Sequence, residues 1–122
     1  SFGNNSEEGS YGPTIITEHY VSLPEEVGSD VIGPKRKIWA LHGHLSMDSI
    51  QNLEIGSPIK AGEIIAKVGS EDVNGGWPPH VHFQLSFVEP ETYDMPGVVE
   101  QENRESALKI YPDPRLVLGS LY

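Results

Sequence analysis

Apolar and polar residues alternate most cleanly around Val81-His82-Phe83-Gln84-Leu85. Val81, Phe83 and Leu85 take one side there, and His80, His82 and Gln84 the other. A period of two marks a β-strand, and Gly75-Gly76-Trp77-Pro78-Pro79 ahead of it reads as a stiff turn. A strand is therefore expected over residues 80–88. A second is expected over 13–21, with Ile15, Ile16 and Val21 as its apolar content and Glu18 and His19 as polar strand residues. A third runs over 36–45, where Ile38 and Ala40 alternate with Trp39 and Leu41, so that both faces carry apolar side chains. Residues 64–68 predict a fourth.

Between these, residues 22–35 contain Pro24, Gly28, Gly33 and Pro34 and predict a solvated hairpin loop. Residues 48–53 suit one helical or 3₁₀ turn. Over 55–69 glycines punctuate short apolar pieces, and Gly56 and Gly62 fit turn conformations that other residues resist. Residues 1–12 are polar and glycine-rich and predict a loop or hairpin tip. Residues 100–110 predict a short helix with Ala107, Leu108 and Ile110 inward, stopped by Tyr111-Pro112-Asp113-Pro114. Leu116-Val117-Leu118 is an apolar tail that should dock on the body or lead to a following domain. The expected fold is mainly β: a small, folded-over antiparallel sheet in a single domain over residues 1–122, with one short C-terminal helix.

Composition narrows the function. The 122 residues contain 13 Gly and 10 Pro, which favours turn-rich β structure over a helical bundle. A net charge of -10 argues against nucleic-acid or anionic-membrane partners, which need clustered Lys and Arg. Lys35-Arg36-Lys37 is the one basic cluster, and an exposed turn explains it. With no cysteine, thiolate chemistry and Cys-based zinc sites are excluded. No apolar run approaches the ~20 residues of a membrane span. The sequence does not fix a compartment.

The candidate chemistry lies in the histidines. His42-Gly43-His44 repeats the His-x-His spacing of His80-Val81-His82, so four of the five histidines fall in two matched pairs. Strand residues two apart share a face, roughly 6.6 Å apart. One such pair alone fits a half-exposed strand face. Two pairs predict a shared polar site where the strand ends converge. Trp77 and Tyr11 are candidate rim aromatics, which ordinary packing explains as well, and Glu71 and Asp72 read as solvated.

Four segments in order resemble the lysostaphin-type zinc metallopeptidases, the M23 family of peptidoglycan endopeptidases: Tyr11-Gly12-Pro13-Thr14-Ile15-Ile16-Thr17-Glu18-His19, His44-Leu45-Ser46, the glycine-spaced stretch from Ile55 to Gly69, and Pro79-His80-Val81-His82-Phe83. Gly75-Gly76-Trp77-Pro78-Pro79-His80 with Pro112-Asp113-Pro114-Arg115-Leu116 resembles a narrower set, the M23-like modules set between a phosphotransferase region and a class III aminotransferase. The resemblance implies the family's duplicated hybrid motif and a zinc cofactor. It implies His82 as a zinc ligand, His44 and His80 as catalytic groups beside the metal, and a peptide or peptidoglycan substrate.

The family's remaining ligands come from an upstream His-x-x-x-Asp, and no such segment precedes Tyr11. His42, where the family commonly has tyrosine, is a possible substitute ligand. The expectation is therefore a domain lacking its N-terminal strands and first zinc-ligand segment, with an incomplete zinc site. The alternative is a non-catalytic binding or scaffolding module of a larger protein. A missing opening strand would leave residues 13–21 as a bare sheet edge, predicting a homo-oligomer or a partner domain there. Lipoyl-type carriers fit less well, since Lys60 and Lys67 do not occupy a tight turn tip, and a cupin would need a glutamate soon after His44.

Overall fold

The computed structural model describes residues 1–120. Four antiparallel strands form one sheet in chain order: β1 (Phe2–Asn5), β2 (Gly12–Val21), β3 (Arg36–Gly43) and β4 (His82–Ser86). The protein is mainly β, as expected. The β2–β3 ladder is the backbone of the fold, running from Ile15 opposite His42 to Val21 opposite Arg36. It forms because both strands are rich in β-branched and aromatic residues and are joined by a hairpin loop closed by a Pro24–Ile32 bridge.

Strand alternation sorts the core into two clusters. Ile16 and Leu41 lie on one face with Tyr11 and Met95, flanked by Trp39 and Tyr111. Ile38, Ala40 and Leu85 lie on the other, flanked by Val21, Leu23, Phe83 and Phe87. Leu41 and Leu85 are fully buried. Removing the side chain of either should cost about 2–5 kcal/mol.

Several expectations are corrected. Residues 2–5 form β1, not a loop. Their pairing does not come from apolar pattern but from a tight ladder to residues 12–15, extended by Ser1 and Ile16 exchanging backbone hydrogen bonds. The Tyr93 ring packs onto Gly3 there, in the space a Cβ would take. Residues 64–68 form no strand. Only Val68 bridges, to Leu45, and Ile64 is 88% exposed. An apolar run needs a partner along its length to become a sheet element, and among the described residues only its end at Lys67 and Val68 meets one, the segment of residues 44–46.

β4 is shorter than residues 80–88. The Pro78-Pro79 pair lacks amide donors and leaves His80 in the approach loop, while the Ser86 side chain binds both backbone groups of Val88 and ends the strand. The helix α1 (Arg104–Ile110) follows a 3₁₀ turn at Gln101–Asn103. Its inward face is weaker than expected: Ala107 is half-buried, but Leu108 and Ile110 are substantially exposed. It is held at its end, where Phe87 N–H donates to the Ile110 carbonyl at 2.7 Å. One further helical turn, α2 (Arg115–Leu118), contains the apolar tail.

The edge of β2 is also not bare throughout. β1 and Ser1 cover it as far as Ile16, which leaves residues 17–21 without a strand on that side among the described residues.

Candidate functional site: a three-imidazole cleft

β3 ends at Gly43, and His44 turns out of the strand with φ 60°, the one non-glycine residue with positive φ among those described. An L-residue held in that left-handed region stores strain of about 1–3 kcal/mol and needs surroundings that impose it. They do so here. The His44 N–H donates to the Tyr11 carbonyl at 2.7 Å, and the His44 carbonyl accepts from Gly69 N–H at 2.8 Å. Gly69 is obligatory at this crossing, because a Cβ would strike the Leu45 carbonyl.

The bend changes which histidines meet. His44 moves to the face of the sheet that holds Tyr11 and Ile16. Its ring centroid lies 4.4 Å from that of His80 and 6.2 Å from that of His82. Tyr11 lies 4.7 Å from His82 and 5.7 Å from His44. Its ring sits over Gly43, where a Cβ would press at 3.1 Å. Gly43 pairs with His82, so a side chain there would push Tyr11 into the imidazole. Trp77 stands at the rim, 44% exposed and edge-on to His44 and His80. His44 is buried, His82 half-buried and His80 exposed, a graded cleft open on the His80 side.

His42 is not part of this cluster. Strand alternation puts it on the opposite face, against Phe83, with Nε2 3.4 Å from Thr17 Oγ1. His19 reaches the same hydroxyl from the other side at 2.7 Å. The equal spacing of the two His-x-His pairs therefore misleads: strand geometry holds across neither pair, since His44 and His80 both lie outside strands.

Each cleft imidazole has one nitrogen committed to an acceptor. His44 Nδ1–H donates to the Asn74 carbonyl at 2.8 Å, and His80 Nδ1–H to the Pro78 carbonyl at 2.6 Å. His82 Nε2 contacts Gln84 Oε1 at 3.1 Å. Burial holds the His44 pKa below its usual value; the Asn74 hydrogen bond opposes this, and repulsion from His80 and His82 adds to it. The neutral ring, with Nε2 free as a base, is thereby favoured. Tyr11 is pushed up to about 12, by burial first and Asp94 second, and its hydroxyl donates to the Met95 carbonyl at 3.1 Å. It is a fixed wall of the cleft, not an acid–base group.

Sequence reasoning missed Asn74 and Gln84. Asn74 is fully buried and stitches the loop together through Gly69 and both backbone groups of Trp77. Its place in Val73-Asn74-Gly75-Gly76 reads only as a turn. Gln84 was visible by alternation on the face of His82, but its role needed the loop that carries Pro96.

Among the described residues no group of three or more His, Cys, Asp or Glu side chains is placed to hold a metal ion. A cavity of about 450 Å³ lies elsewhere, lined by Leu23, Phe87, Leu108 and Leu116 among others, and no histidine lines it. Compared with family models, curated proteins and solved structures, the chain matches none.

Proposed function

We propose that the chain is a lysostaphin-type (M23) peptidase-like domain that engages the peptide part of peptidoglycan in the cleft of His44, His80 and His82. One observation carries the reading. The three histidines singled out by the family resemblance come together from two separate segments, although simple strand geometry would not have brought them there. Two of them, His44 and His80, present a free Nε2 while Nδ1–H is anchored to a backbone carbonyl. That arrangement suits proton acceptance from, and hydrogen bonding to, the amide groups of a peptide. Zinc would supply the activated water in a complete site; in this chain His82 alone matches a ligand position of the family. The finer architecture, the family's duplicated hybrid motif, belongs to the same proposal.

A second reading, a non-catalytic binding module, is favoured by the absence of a three-ligand group among the described residues. Calorimetric titration with a glycine-rich cross-bridge peptide separates the two. The peptidase-like reading expects binding that weakens about tenfold in His44→Ala and His80→Ala. Unchanged affinity in both variants would transfer the function to the scaffold reading. No binding by the wild type would overturn a peptide site in this cleft.

A further inference from the structure

The hydrogen bonds around Gln84 form a chain with one consistent assignment of donors and acceptors. Gln84 Nε2 donates to the Pro96 carbonyl at 3.0 Å. A carbonyl only accepts, so the amide nitrogen is fixed toward Pro96 and the amide oxygen is turned back into the sheet. That oxygen lies 3.1 Å from His82 Nε2 and 3.5 Å from the Tyr11 hydroxyl. An amide oxygen also only accepts, so His82 Nε2 must carry the proton. The ring's remaining nitrogen, Nδ1, keeps its lone pair.

We propose that Gln84 is a positioning residue that selects the Nε2–H tautomer of His82, so that Nδ1 is the nitrogen this residue offers to whatever binds in the cleft. His44 and His80 are fixed the other way, with Nδ1–H bound to carbonyls and Nε2 free. The cleft is then a set of three imidazole acceptors with mixed tautomers, each set by a different part of the chain. Tyr11 braces the arrangement. Its ring packs against His82, and its hydroxyl is held by the Met95 carbonyl, next to the Pro96 carbonyl that anchors Gln84. Loop 94–97 therefore reaches the cleft through Gln84 and through Tyr11.

This inference rests on the peptide-site reading only for its purpose; the tautomer itself stands apart from it. Long-range proton–nitrogen NMR of the full chain reads which nitrogen of each ring is protonated, with no ligand and no activity needed. The wild type should show His82 as Nε2–H, and His44 and His80 as Nδ1–H. Gln84→Met keeps the length and apolar stem but removes the acceptor. It should lower the ratio of Nε2–H to Nδ1–H at His82 about fivefold, the weight of one net hydrogen bond, and leave His44 and His80 unchanged. Gln84→Glu restores an acceptor and should restore Nε2–H. Wild-type His82 found as Nδ1–H, or a ratio unmoved in Gln84→Met, overturns the proposal. If Gln84→Met does not fold, the wild-type tautomer alone decides. Failure of peptide binding with the tautomers as stated would sink the function reading and leave this one intact.

Discussion

The imidazoles of His44 and His80 lie 4.4 Å apart although neither residue belongs to a strand. One is thrown out of β3 by a left-handed backbone turn; the other is held in a Pro-Pro loop. The cleft thus depends on loop geometry locked by glycines and by buried amides.

Gly75 and Gly76 both have positive φ, 91° and 84°. Alanine at either position meets backbone strain of about 1 kcal/mol or more. At Gly75 the new Cβ would also collide with the Ser10 carbonyl, whereas at Gly76 nothing lies within 4 Å. Gly75→Ala should therefore destabilise by at least about 2 kcal/mol more than Gly76→Ala in urea unfolding. Equal losses would mean that the loop does not pack on residue 10 as described.

Asn74→Ala removes a fully buried amide that satisfies Trp77 N–H and two carbonyls. Orphaned buried groups cost about 1–3 kcal/mol each, so a loss of about 2–4 kcal/mol is expected. The His44 Nδ1–H bond to the Asn74 backbone should loosen with it, seen as a shifted His44 ring resonance.

Stability should fall as the solution is acidified below the ordinary histidine pKa of 6.5. His42 is held below that value, by burial first and by His19 second, and His44 is lowered chiefly by burial. In this window the unfolded chain binds more protons than the folded one. The stabilisation is thus complete above the unfolded pKa and lost as pH falls through the lower folded values. Urea midpoints should drop between about pH 7.5 and pH 5.5, less steeply in His42→Gln. A midpoint that rises on acidification would contradict both shifts.

Among the described residues, positions 17–21 of β2 keep an open edge. Ile16 directs its backbone groups to Ser1, so by alternation Glu18 and Tyr20 direct theirs outward. Open edges recruit strands. Sedimentation should show concentration-dependent dimers that Tyr20→Pro weakens, since proline removes an outward donor. A strictly monomeric wild type at high concentration would rule this out.

Much of the frame was legible in the sequence. Residues 13–21 and 36–45 announce β2 and β3 through β-branched and aromatic alternation, and Tyr111-Pro112 ends the helix where the sequence says it should. Local pattern carries that information. It does not carry pairing. β1 has almost no apolar signal and forms from ladder bonds alone, while 64–68 has a strong signal and, among the described residues, a partner only at its end, where Val68 bridges Leu45. The cleft was half legible. His44, His80 and His82 stand out in the sequence, but a period of two groups His42 with them, because it runs through a residue that leaves the strand. Nothing in His44 itself reveals its positive φ; the bonds to Tyr11 and Gly69 impose it.

The most direct test of the account follows all five histidine rings by NMR while a glycine-rich cross-bridge peptide is added. His44, His80 and His82 should shift together along one saturation curve, and His19 and His42, on the far side of the sheet, should stay still. Shifts at His42 without shifts at His44 and His80, or no shift at any of the three, would contradict a peptide site in this cleft.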